Sequence, residues 1–382
     1  MNRLELQDSL SINKLYNKQE REKVSIIGMV VKKETTKNSN ILITIEDFTG
    51  TINILVNKNK NIYNVAKDIV LDEVIGITGV FGKSIVFVDE IYFPDIPNKE
   101  LKKIDEDVYV AFTSDIHVGL YAFQEKNFIK FLKWLNGEYG DANQKELSKK
   151  VRYLILTGDL VEGVGVYPNH EKDLVIKDIY KQYERLAELL SMVPKSINIV
   201  LCGGNHDALR IAEPQPELYK DLAKPLWDLS NVKITTNPSL VNIHSSKDFP
   251  GFNILMYHGF SIPYYSTNVD SIRLAGGLNK VDIIMKLFLQ RRHLAPSHTS
   301  TLYIPSGTNE DPLLIDTVPD FFVTGHVHKV VATNYKSVSM ICSGCWVTQT
   351  SYQERRGLVP ESFKIILASL KTREFRILNF EE

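Results

Sequence analysis

The chain has 382 residues, 43% hydrophobic and 24% charged, a composition that suits a globular protein with room for two domains. Its 45 basic and 46 acidic side chains give a net charge of −1, which excludes nucleic-acid binding driven by bulk electrostatics alone. No apolar run approaches the ~20 residues that span a bilayer, Met1–Asn13 has no apolar signal core, and three cysteines are too few for a disulfide framework, so a cytoplasmic protein without membrane contact is expected.

Residues 1–20 read as an N-terminal segment, followed by an all-β domain over 21–97. Five short β-branched runs, Val24–Val31, Ile41–Ile45, Ile52–Val56, Val74–Phe81 and Ile85–Val88, are punctuated by glycine and asparagine turns. Lys58–Ile69, between the third and fourth, is long enough for one short helix. Five strands with a helix in that place is the layout of an OB-fold β-barrel. Lys32, Lys33, Lys37, Lys58 and Lys60 cluster in its loops, which suits a solvated surface and a strand-binding groove equally. Pro94–Lys103 reads as a linker.

A second domain is expected over 104–382, where strands alternate with amphipathic helices. Val108–Phe112, Leu154–Thr157 and Ile197–Cys202 read as buried strands, and Phe128–Leu135 and Asp173–Leu190 as helices. Further strands end at Tyr257 and Thr324, and Phe363–Phe380 reads as a hairpin. Polar loops after strands are where α/β folds place their ligands.

Five polar clusters follow these strands: Asp115-Ile-His117, Gly158-Asp159, Gly204-Asn205-His206-Asp207, His258-Gly259, and His326 with His328 in Gly325-His-Val-His. Singly each is weak, because Gly-Asp is common by chance and a lone histidine at a strand end is more often a structural hydrogen-bonder than a ligand. Asp-x-His and His-x-His place both side chains on one side of an extended segment, which makes each a chelate. Together, in order and each after a strand, they form a strong signal.

The ordered set resembles the calcineurin-like metallophosphoesterases over Val108–Val331. That resemblance implies a four-layer α/β sandwich and two divalent metal ions. Asp115, His117 and His328 would hold the first ion and Asn205, His258 and His326 the second. Asp159 would bridge both, with His206 catalytic rather than a ligand. Two dications held by two carboxylates leave a site of about +2, which attracts a phosphate anion, and such a pair lowers the pKa of bound water. Oxygen and nitrogen ligands without thiolate suit Mn²⁺, Fe or Zn²⁺.

The OB-fold ahead of this domain is similar to the small subunits of archaeal D-family DNA polymerases. So are Arg291-Arg-His-Leu-Ala-Pro296, Val318-Pro-Asp320 and Ser343-Gly-Cys-Trp346 with Gln349-Thr350. The resemblance implies a Mn²⁺-dependent 3′→5′ proofreading exonuclease. Its partners would be the large catalytic polymerase subunit and single-stranded or mismatched 3′ ends of DNA. Two alternatives stay open: another metallophosphoesterase, acting on phosphomonoesters or cyclic nucleotides, and a non-catalytic assembly subunit. Arg292 and His293 are expected at a substrate or partner contact, or in a surface salt bridge.

The chain departs from the family pattern in two respects. Glu162 stands where many relatives have a second aspartate that orients the catalytic histidine, and cysteines stand where the polymerase subunits more often have Asn and Thr. Asp207 is expected to bond within its turn. Cys342-Ser-Gly-Cys345 has no second pair to complete a zinc site, so a structural role is expected.

Overall fold

The computed structural model describes residues 3–305, 307 and 310–381. Packing divides the chain into two units. The first contains Met1–Pro97, Ser261–Thr301 and Leu313–Asp316, and the second contains Asn98–Phe260, Leu302–Pro312 and Thr317–Glu382.

In the first unit, β1 (Lys23–Thr35), β2 (Ile41–Asp47), β3 (Gly50–Val56), β4 (Val74–Gly82) and β5 (Ile85–Tyr92) close a barrel in the order β1-β2-β3-β5-β4. Alternation turns Ile26, Ile43, Ile45, Ile54, Ile77 and Val86 inward, all fully buried. Each such side chain contributes roughly 1.5–3 kcal/mol relative to exposure. The helix expected between the third and fourth strands is Tyr63–Lys67. Of the 1–20 segment, residues 1 and 2 lie outside the described residues. The remainder packs on the barrel: Leu6, Ile12 and Leu15 are buried, and the Ile12 N–H donates to Asp47 Oδ2 at 2.8 Å.

The chain first leaves this unit after Pro97. Ser261–Thr301 returns to the barrel's unit. Long-range contacts inside that unit explain the return. The Asp95 N–H donates to the Gln290 carbonyl at 2.7 Å, and the Arg291 Nε lies 3.1 Å from Glu73 Oε2. Arg292 and His293 make structural hydrogen bonds within this unit. Arg292 closes the helix Val281–Arg291 with φ +55° and donates to the Ile315 carbonyl at 2.6 Å, while His293 Nδ1 accepts from the Ala295 N–H at 3.0 Å.

The second unit carries β6 (Tyr109–Thr113), β7 (Val151–Thr157), β8 (Asn198–Cys202), β9 (Val232–Thr235), β10 (Ser239–Ile243), β11 (Phe252–Met256), β12 (Phe321–Thr324), β13 (Val331–Tyr335), β14 (Val338–Cys342), β15 (Lys364–Ser369) and β16 (Phe375–Asn379). They form a six-stranded sheet, β16-β15-β6-β7-β8-β9, and a five-stranded sheet, β10-β11-β12-β14-β13. β6 to β9 run parallel, as do β11, β12 and β14. Strands buried on both faces read as continuous apolar runs, and β6 and β12 are buried at every position. The two sheets share one core, which includes Val110, Phe112, Ile155, Ile254, Phe321 and Ile341. The helices Glu125–Leu135 and Ile179–Ser191 contribute Phe128, Phe131, Leu186 and Leu190 to the other large core with Leu154 and Leu156.

The helix expected from Asp173 begins instead at Ile179, capped by Asp178, whose side chain accepts from the Tyr180 and Lys181 N–H groups. Residues ahead of it are spent on backbone pairing: the Val175 N–H donates to Gly119 O at 2.8 Å and the Tyr121 N–H to Asp173 O at 2.8 Å. Among the described residues no helix is long and apolar enough to cross a membrane.

Candidate metal centre

Parallel strands bring their carboxyl ends to one edge, and each polar cluster begins where a strand stops. Asp115 and His117 follow β6, Asp159 follows β7, Asn205 and His206 follow β8, His258 follows β11, and His326 and His328 follow β12. Five of these residues, Asp115, His117, Asp159, His326 and His328, have φ between +49° and +69°. Non-glycine residues enter that region at a cost of about 1–3 kcal/mol each, and such strain collects at functional sites. The glycines in the motifs give room for close approach. Gly158 has φ +81°, and a Cβ there would lie 2.4 Å from His258 Nδ1; one on Gly325 would lie 2.6 Å from Asp115 Oδ2.

The structure brings all seven expected ligands and His206 into one cluster. Asp115, His117 and His328 offer ligand atoms within 4.8 Å of one another, and so do Asp159, His258 and His326. Asp115 Oδ1 lies 3.3 Å from His328 Nε2 and 4.0 Å from His117 Nε2. Asp159 Oδ2 lies 3.2 Å from His258 Nε2 and 3.9 Å from His117 Nε2, so this oxygen stands between the two groups. Asn205 Oδ1 is 3.2 Å from His258 Nε2.

Whether these residues suit cations is decided by their other hydrogen bonds. His258 Nδ1 donates to the Thr157 carbonyl at 2.8 Å and His117 Nδ1 to Glu162 Oε2 at 2.7 Å. Each leaves an Nε2 lone pair aimed at buried carboxylates, the arrangement that orients metal-binding histidines. His117 Nε2 and His328 Nε2 approach to 3.3 Å, a confrontation of ring nitrogens that a shared cation would satisfy. The donor set of carboxylate, amide oxygen and imidazole fits two divalent ions.

The electrostatics point the same way. Burial alone would raise the Asp159 pKa, but the imidazoles of His258 and His206 outweigh it and hold Asp159 well below the usual carboxylate range. Burial opposes charge on His258, yet Asp159 raises it to about 9. His206 likewise overcomes burial through Asp159 and Glu162 and rises to about 10. His326 is pushed down to about 3 by burial and by His258. Protons on imidazoles thus balance the buried carboxylates where dications would otherwise do so.

Profiles of known families agree with this geometry. Calcineurin-like phosphoesterase matches residues 108–330, and OB-fold nucleic acid binding domain matches residues 24–95. The chain is 40% identical over 338 residues to the DNA polymerase II small subunit of Methanothermobacter thermautotrophicus, covering 88% of this chain and 67% of that one. It is 38% identical to the subunits of the same name from Pyrococcus horikoshii and Pyrococcus furiosus, over 98% of this chain and 59% and 60% of theirs. The chain belongs to the DNA polymerase II small-subunit family. It spans about three-fifths to two-thirds of the length of these relatives.

Within that family fold, further residues surround the expected ligands, of which only Glu162 and Asp207 were marked by their motif positions. Glu162, 2% exposed, is a hub: besides His117 it faces His170 Nε2 at 2.9 Å and His206 Nδ1 at 3.3 Å. Glu162 also forms a third group with His117 and His206, their ligand atoms within 4.8 Å of one another, and its contacts to the Nδ1 atoms of both histidines suit an orienting role. A lone His170 in a loop gives no motif to find. Gln353 Nε2 lies 2.9 Å from His328 Nδ1, and Gln215 and Asn237 pass a chain of bonds to the His258 N–H. Asp207 accepts from the Gly204, Leu160 and Val161 N–H groups, binding its turn together. Cys342 and Cys345 are buried free thiols beneath the His326–His328 loop, Cys342 Sγ lying 3.9 Å from the Gly325 carbonyl.

Proposed function

We propose that the chain is a metal-dependent phosphodiesterase that removes nucleotides from 3′ ends of DNA, working as the proofreading partner of a large polymerase subunit. The observation that carries this reading is the pair of candidate ligand groups with Asp159 Oδ2 standing between them and Asn205 beside His258, all in one fold unit. Asp115, His117 and His328 would hold one ion, Asn205, His258 and His326 the other, and Asp159 both, with Mn²⁺ the expected metal. When bound, two such ions supply Lewis acidity at the phosphoryl oxygens and a water of lowered pKa.

The chain's own residues supply the rest. His206 points Nδ1 at the Glu162 carbonyl, 3.1 Å away, which leaves Nε2 for the substrate side, and its side chain is 20% exposed where the ligand carboxylates are sealed. With Nδ1 turned to the Glu162 carbonyl, Nε2 is the ring nitrogen left to carry a proton to the leaving oxygen. The His206 N–H donates to Asp159 Oδ1 at 2.8 Å and so ties this histidine to the shared carboxylate. Specificity for DNA and pairing with the large subunit rest on the named relatives and on the OB-fold ahead of the site.

The test uses purified protein with Mn²⁺, alone and with the large subunit, on single-stranded and mismatched primers labelled at either end. Stepwise loss from the 3′ end is expected, and Asp159→Asn should lower both metal content and turnover. Intact ends in both settings, with two ions bound per chain, would end the proposal.

A further inference from the structure

The loop after Glu162 folds back onto it. Gly163 has φ +80°, and a Cβ there would lie 2.2 Å from the His206 carbonyl oxygen, so the backbone passes tightly against the His206 turn. Buried Gln182 clips the loop in place. Its Oε1 accepts from the Gly163 N–H at 2.8 Å, and its Nε2 donates to the carbonyls of Gly163 at 3.0 Å and Ile176 at 2.7 Å. Inside this loop His170 is 1% exposed. The Val166 N–H donates to its Nδ1 at 3.1 Å, which places the ring proton on Nε2, the atom facing Glu162 Oε1. The Tyr167 ring packs on the imidazole with centroids 4.2 Å apart, and its hydroxyl donates to Asp173 Oδ2 at 2.8 Å.

We propose that His170 is a positioning residue for phosphodiester cleavage. Its Nε2–H locks the Glu162 carboxylate so that one oxygen holds the ligand His117 while the other stays turned toward His206. This inference rests on the phosphodiesterase function proposed above. A glutamate has one more rotatable bond than the aspartate common at this place, and His117 alone would leave its carboxylate free to turn about the bonded oxygen. The 3.3 Å reach from Oε1 to His206 Nδ1 is long, so a small rotation decides whether it survives. One carboxylate then couples the metal-holding side of the site to the histidine that serves the leaving group, and the third contact sets its angle.

Two exchanges separate positioning from simple loop packing. Asparagine places an oxygen where Nδ1 stood, so His170→Asn keeps the Val166 bond and loses the reach to Glu162. Glutamine places an N–H where Nε2 stood, so His170→Gln keeps the Glu162 bond and loses the Val166 one. Full-length variants are assayed for kcat and KM on single-stranded DNA at saturating Mn²⁺, with Mn²⁺ affinity read by calorimetry and folding by thermal unfolding. His170→Asn should lower kcat by about 10-fold and weaken Mn²⁺ binding by a similar factor, with KM within about twofold. His170→Gln should stay within about threefold of wild type on both. In a His206→Ala background, His170→Asn should cost no more than about twofold in kcat, because the group it positions is gone. The opposite ranking of Asn and Gln, or the full loss persisting without His206, overturns the proposal. Should wild-type protein bind two ions and cleave nothing, the phosphodiesterase reading fails, and the Mn²⁺ affinities still decide whether His170 steadies His117.

Discussion

Replacing Gly325 by alanine tests the centre with one methyl group. The new Cβ would sit 2.6 Å from Asp115 Oδ2 and 2.8 Å from Ser114 Oγ, about 0.8 Å inside ordinary contact. Asp115 has nowhere to go. It is fully buried, Ser114 Oγ donates to Oδ2, and the His326 N–H reaches Oδ1 at 3.1 Å and Oδ2 at 3.0 Å. Either the carboxylate or the Gly325–His328 loop must shift, and in the proposed assignment both would carry ligands of the same ion. Overpacking of this kind costs roughly 1–3 kcal/mol of stability. A displacement near 1 Å in a reacting constellation costs on the order of 10²-fold in rate. Gly325→Ala should therefore lose about two orders of magnitude of Mn²⁺-dependent cleavage and bind the first ion about 10- to 100-fold more weakly. Denaturant unfolding in chelator should show only the modest stability loss. A variant that takes up two ions with wild-type affinity and cleaves at wild-type rate would refute the placement of Asp115 as a ligand held by this contact.

Other outcomes follow from the same geometry. His206→Ala should reduce turnover by about 10²- to 10⁴-fold while Mn²⁺ content stays near two per chain; parallel loss of both would make His206 a ligand. Mn²⁺ affinity should rise with pH between about 7 and 9, roughly tenfold per unit per displaced proton, because Asp159 raises the metal-free His258 to about 9 and its proton must leave before Nε2 can bind. Calorimetry in buffers of different ionisation enthalpy reads that release, and its absence refutes the argument. In the barrel's unit, Arg291→Met should cost about 3–5 kcal/mol by urea unfolding, since it strands the buried Glu73 carboxylate. Burial already raises the Glu73 pKa. A raised carboxyl favours the protonated folded form, so the variant's deficit should shrink as pH falls and grow as pH rises. A deficit independent of pH would contradict this account.

The barrel was legible in the sequence because alternating isoleucines and valines have one face to bury, and a period of two leaves little choice of conformation. The motif order was legible for a related reason: parallel strands end on the same edge, so clusters placed after each strand converge. Asp173–Val175 shows where periodicity misled, since backbone pairing with Gly119 and Tyr121 consumed residues whose spacing also suits a helix. The Arg291-Arg-His run gave no hint that Arg291 turns to Glu73 and Arg292 to the Ile315 carbonyl, because those partners lie far away in the chain.

By itself the sequence determined which side chains are offered to the centre, since ligand chemistry and strand-end position are local properties. Only the tertiary structure decided that Ser261–Thr301 packs with the barrel's unit and that Glu162 faces three imidazoles at once. Such contacts join residues many positions apart through burial and hydrogen-bond satisfaction, and no spacing rule encodes them.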